Sequence, residues 1–249
     1  NSINVLLDHI LSNARDIESS RTMSIFQNYA IGSANFVKTY SKPSPIETSS
    51  LIVKHDVPIL STSNCERLLS ASVKKEIRPV IFTARPSLPP LGVQDEAHYY
   101  SPEAELAVGL VGLDSIPMIA SGRTEWLAWE TEADPHTFIK PALVHALAAI
   151  GAAISGDEIA GLMAAHMFLD KGVLNSPLSD LIDCELKVTV FEDSYRSIDS
   201  VGKVLYLLRE FGVQSSLIAK GIAGNHEKRM LLNKSGATLF DDVNEAITA

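Results

Sequence analysis

The chain reads as an α/β protein, a doubly wound parallel sheet preceded by a small and mostly helical unit. Three observations carry this. From Pro79 onward, short apolar runs of strand length alternate with longer stretches whose apolar residues recur at helical spacing. Alternation of that kind requires crossover connections, and so a parallel sheet with helices on both faces. Ahead of it, residues 2–40 carry only helical spacing (Ile3, Leu6, Leu7, Ile10 and Leu11, then Ile25, Phe26 and Tyr29) and run into the breaker-rich Ser41-Lys-Pro-Ser-Pro45. Finally, 249 residues with 46 % hydrophobic and 20 % charged content suffice for a large core and a smaller companion. The division falls near residue 78, with the helical unit over 1–78 and the α/β core over 79–249.

Each element of the core has its own justification. The run 79–82, Pro-Val-Ile-Phe, is short, apolar and β-branched in its middle, which suits a strand. Residues 86–102 form a Pro-rich connection holding Tyr99 and Tyr100, more simply a surface loop than a lid over a site. A helix is expected over 103–111, a strand over 116–120, and helices over 125–130, 141–154 and 158–169. The Ala-rich stretch 142–153 suits close packing against the sheet. Strands then fall over 188–191, 216–219 and 237–240, separated by helices over 198–211 and 226–233.

Composition excludes several functions. A formal net charge of −9 provides no basic footprint for nucleic acid or an anionic membrane, because counterion release needs clustered Lys and Arg. Cys65 and Cys184, far apart in sequence, argue for a reducing compartment and against a disulfide scaffold or structural zinc. Lone His145, His166 and His226 on helical patterns read as core or surface residues. No apolar run approaches the roughly 20 residues of a membrane helix, and no signal pattern opens the chain, so a cytoplasmic location is expected. A start at Asn1 leaves room for an upstream segment. Nothing in these patterns assigns an oligomeric state.

The chemistry concentrates at strand ends. Lys187-Val-Thr-Val-Phe-Glu-Asp-Ser194 runs an apolar strand pattern into Glu192 and Asp193 and then into a helix. Side chains at the carboxyl end of a parallel strand face the crevice where such sheets bind ligands, so this pair could handle a hard cation or a phosphate. Capping of the following helix is the alternative use of these acids. Thr83 closes the first strand in Phe82-Thr-Ala-Arg85, and Lys140 opens a helix in Phe138-Ile-Lys-Pro141. Arg85 suits either a substrate anion or a salt bridge.

In that order the three segments resemble the haloacid dehalogenase superfamily. Its second motif is a strand ending in Thr or Ser, its third a Lys commonly followed by Pro, and its fourth an acidic pair. Glu192-Asp-Ser-Tyr-Arg-Ser-Ile198 is similar to the common form of the fourth motif, with Ser197 where Gly is frequent. The run Ser235-Gly-Ala-Thr-Leu-Phe-Asp-Asp-Val-Asn-Glu-Ala246 is similar to the way many members end. The resemblance covers about residues 79–246. It implies a Rossmann-like core with a small helical cap and a magnesium-dependent phosphatase acting on a small phosphorylated substrate through an aspartyl-phosphate. In that chemistry Thr83 and Lys140 hold and neutralise the phosphoryl oxygens, Asp193 is a Mg²⁺ ligand and Glu192 supports it.

The first motif of that family is Asp-x-Asp, and the chain contains none. The candidate nucleophile is Asp8, after Asn4-Val-Leu-Leu7. Ile10 then stands in the acid/base position and transfers no proton, which forfeits roughly 10²–10⁴ in rate. The same residues also fit an amphipathic helix face with Asp8 exposed. Asp56, ahead of Val57-Pro58, is a second candidate. Two functions follow: a phosphatase of this family, or a catalytically impaired relative kept for ligand binding or assembly.

Overall fold

The computed structural model describes residues 3, 16–94 and 97–249. Its architecture is mixed α/β, with two small parallel sheets. β1 (Ile81–Phe82) pairs with β2 (Met118–Ile119). β3 (Glu185–Glu192), β4 (Gln214–Ile222) and β5 (Thr238–Phe240) form the second sheet in that order, with Glu192 opposite Gly221. Among the described residues no ladder joins the two sheets into one. On the second sheet, Leu186, Val188, Val190 and Leu217 pack into the main core, whereas Lys187, Thr189, Phe191 and Ile218 are exposed. That alternation is the period of two expected for a strand with one covered face, and it extends β3 and β4 beyond the apolar residues that mark them in sequence.

Local chemistry sets the helix ends. α1 (Arg21–Ile31) starts where the Ser20 side chain accepts from Met23 N, and stops at Gly32, whose φ of +81° favours glycine. A Cβ there would lie 2.5 Å from Ser50 N, so the turn into α2 (Ser33–Tyr40) needs glycine for space as well. Ser50 and Ser61 cap α3 (Leu51–His55) and α4 (Thr62–Val73). Ile17, Ala30, Ile31, Phe36 and Tyr40 form a small core of this helical region, joined by Leu106 of α5 (Glu103–Val111). Tyr40 Oη donates to Tyr100 O at 2.8 Å, and Ser101 Oγ to Gln27 Oε1 at 2.6 Å, so the helical region docks on the α/β part through buried hydrogen bonds.

The Pro-rich connection is clasped onto the core. Buried Arg123 of α6 (Ser121–Glu130) donates to Leu88 O and pairs with Glu105 and with Glu158, the first residue of α8 (Glu158–Lys171). Glu158 in turn accepts from Leu91 N and Met118 N, and Glu105 from Leu88 N. A buried guanidinium is tolerated here because both carboxylates and a carbonyl surround it. Held at Leu88 and Leu91 in this way, the segment fits the surface-loop reading.

α7 (Leu143–Ser155) joins the pieces, touching α8, β1, β2 and α9 (Tyr195–Glu210). Its small residues were expected against the sheet, but the closest approach is to α8. A Cβ on Gly151 would lie 2.8 Å from Gly161 Cα, and one on Gly161 2.5 Å from Ala152 N. α10 (His226–Lys234) and α11 (Val243–Thr248) complete the chain, capped by Asn225 and Asp242. Among the described residues no helix is long and apolar enough to cross a membrane.

A Gly161→Ala substitution separates packing from helix propensity. At an exposed helix site it would stabilise by up to about 1 kcal/mol. At this crossing, overpacking outweighs that gain, and a loss of about 2 kcal/mol in urea unfolding with an unchanged slope is expected.

Candidate functional site

The ends of β1 and β3 meet at Lys140, in the turn that leads into α7. Lys140 Nζ donates to Phe82 O at 3.2 Å, lies 4.1 Å over the Phe82 ring, and is ion-paired with the Glu192 carboxylate. Its side chain is 13 % exposed and that of Glu192 7 %, so neither charge could stay buried without the other. Burial raises the Glu192 pKa, and the Lys140 ammonium opposes that shift. Phe82 thus marks the point where the two sheets, though unpaired, come together.

The other sequence-derived residues fall around this pair. Thr83 follows Phe82; its backbone N–H donates to Ile119 O, and its hydroxyl oxygen accepts from Arg85 N at 3.2 Å. Arg85 makes the salt bridge foreseen as one of its two uses, 2.8 Å to Asp56, and this contact brings Asp56 toward the β1 end. Asp193 pairs with a different lysine: its carboxylate is 2.5 Å from Lys228 Nζ in an exposed pair, which contributes little to stability. Capping is not the use of this acid, since α9 takes Ser194 as its N-cap and no side chain caps it. Asp8 lies outside the described residues.

The described residues do not fit a magnesium site. Glu192 is held by an ammonium that a divalent cation would have to displace, and Asp193 by a second. Among the described residues no three His, Cys, Asp or Glu side chains gather as ligands.

Sequence reasoning set His145 aside as an ordinary helix histidine, and the structure puts it under the site. It is completely buried. Its Nδ1 accepts from Lys140 N at 2.9 Å, its Nε2 lies 2.9 Å from Ile119 O at the end of β2, and its ring meets the Phe82 ring edge to face at 4.9 Å between centroids. A backbone N–H can only donate and a carbonyl only accept, so the imidazole is neutral with its proton on Nε2. Burial, reinforced by the nearby Lys140 charge, pushes its pKa down to about 4 against the weaker raising effect of the Ile119 hydrogen bond. The available signal was a single ionisable residue on an otherwise apolar helical run, five residues after Lys140. A buried side chain of that kind must find partners.

Comparison of the chain with protein-family models, with curated proteins and with solved structures finds no match.

The His145 pKa makes a linkage prediction. Its ordinary value of 6.5 applies to the unfolded chain, so between about 4 and 6.5 the unfolded state binds more protons. Stability from this group is fully present above pH 6.5 and declines as the pH falls toward 4, by at most about 3 kcal/mol. Urea midpoints across this range should fall more steeply in the wild type than in His145→Asn, which carries no titrating group there.

Proposed function

We propose that this chain is a haloacid dehalogenase-like α/β protein, with the Rossmann-like arrangement that name implies, which binds a small phosphorylated ligand at its strand ends without turning it over. One observation above all supports the binding: a nearly buried ammonium, Lys140, stands at the carboxyl ends of two strands from separate sheets. An anion reaches it by displacing Glu192, whose burial already favours the neutral carboxyl. A separate cavity of about 380 Å³ opens at Pro141, Ala142 and Leu143 against Arg196, Asp199, Ser200 and Lys203, and neither Lys140 nor Glu192 lines it.

Turnover needs a nucleophile and an acid or base within hydrogen-bond reach of the phosphoryl group. At this point the carboxylates of Glu192 and Asp193 are each held by a lysine, and the Thr83 hydroxyl faces its own turn. A magnesium-dependent phosphatase is the second reading; it requires a cation to displace Lys228 from Asp193, an exchange that the exposure of that pair permits.

Two experiments separate them. Sulfate, which stays dianionic, is titrated into wild type and Lys140→Ala by calorimetry. At least tenfold weaker binding in the variant is expected, with wild-type binding that tightens as the pH is lowered and Glu192 takes up its proton. Equal affinity in the variant would remove the anion site. In parallel, a phosphomonoester panel is assayed with magnesium and with a chelator, and no turnover is expected. Magnesium-dependent hydrolysis that disappears in Asp193→Asn would overturn the binding-only reading in favour of the phosphatase.

A further inference from the structure

We propose that His145 is the positioning residue of this site: one neutral imidazole ties the end of β2 to the turn carrying Lys140, and it releases that turn on taking up a proton. The inference rests on Lys140 being the ligand-facing cation, and it deepens that reading by saying what aims it.

The geometry is specific. Both ring nitrogens are committed, Nδ1 to the Lys140 backbone N–H and Nε2 to Ile119 O, each at 2.9 Å. The same ring packs edge-on against Phe82, the residue whose face the Lys140 ammonium covers and whose carbonyl it bonds. Phe82 is therefore gripped from two sides, by His145 and by the side chain of the lysine that His145 holds at its backbone. An imidazole thus sets both where Lys140 starts and the surface along which its side chain runs.

Protonation undoes one tie and leaves the other. An imidazolium donates from both nitrogens, so its Nδ1–H would confront the Lys140 N–H, while Nε2–H still reaches Ile119 O. The charged groups around the ring are few. Lys140 is the near one, and Glu192 at the end of β3 neutralises it. On the far side of β2, Glu158 of α8 bonds Met118 N and pairs with Arg123 of α6. His166 of α8 packs against Phe138, and α9 offers the neutral Ser200 hydroxyl, to Ala142 O, with Arg196 and the exposed Asp199–Lys203 pair beside the first turn of α7. α7 itself holds no second titratable residue. Each carboxylate in this set is already paired with a cation, Glu192 with Lys140, Glu158 with Arg123 and Asp199 with Lys203, so acid uncouples the turn and does not lock it.

Two substitutions divide the ties. Asparagine at 145 places an acceptor where Nδ1 stands and keeps the Lys140 bond; glutamine places a donor where Nε2 stands and keeps only the Ile119 bond. Amide hydrogen exchange at pH 7 without added anion is read at Lys140 and, as a reference, at amides of the β3–β4 ladder. In His145→Gln the Lys140 amide should lose about tenfold or more in protection while the ladder is unchanged, and in His145→Asn it should stay within about threefold of wild type. In the wild type the same selective loss should appear as the pH is lowered through the His145 titration, after correction for intrinsic exchange. Equal losses in both variants, or a Lys140 amide indifferent to both, would make His145 merely structural and overturn the proposal. The ¹⁵N imidazole shifts of the unmutated protein decide the matter even if a variant fails to fold, since a proton on Nδ1 would contradict it. Because no anion is present, failure here leaves the binding reading to its own titration.

Discussion

β1 and β2 share no hydrogen bonds with β3, β4 and β5, so the position of one sheet against the other depends on helix packing and side chains. α7 carries most of that task. It meets α8 at backbone contact distance through Gly151 and Gly161, reaches β1 and β2 along one side, and packs on α9, which covers β3 and β4. Glycine at both sides of the crossing removes the spacing that side chains would impose, and the many dispersion contacts that follow hold the helices rigidly. The first turn of α7 is thereby placed at the gap between the sheets, and with it the Lys140 turn.

Electrostatics explains why that gap holds this set of side chains. A buried ammonium costs several kcal/mol unless it is paired, and Glu192 at the end of β3 supplies the partner. The histidine beneath it stays neutral because burial and the ammonium both oppose a second charge. The same rule acts on the other side of β2, where Arg123 is buried only because Glu105, Glu158 and Leu88 O surround it. That second cluster holds the Pro-rich connection against the core at Leu88 and Leu91.

The alternation of strand and helix from residue 79 is legible in the chain because periods of 2 and 3.6 are local properties, and every strand expected there is present. Strand lengths are less legible: β3 starts at Glu185 and β4 at Gln214, where polar residues sit on an exposed face and carry no apolar signal. At the site, Lys140 and Glu192 can be picked out as candidates, but a charged residue's partner is not a local property. Asp193 sits next to Glu192 in sequence, just past the end of β3, and yet pairs with Lys228.

The sequence by itself therefore determined that the fold is mixed α/β with parallel strands, the order of its elements and the residue types at its strand ends, all of which follow from spacing within a few residues. The tertiary structure alone decided that the strands form two sheets and that α7 packs closest on α8. It alone decided too that Glu192 faces Lys140 and that His145 joins Ile119 to the Lys140 turn. The last two depend on contacts between residues far apart in sequence, 26 positions for Ile119 with His145 and 52 for Lys140 with Glu192, for which burial and charge pairing across the assembled core set the terms.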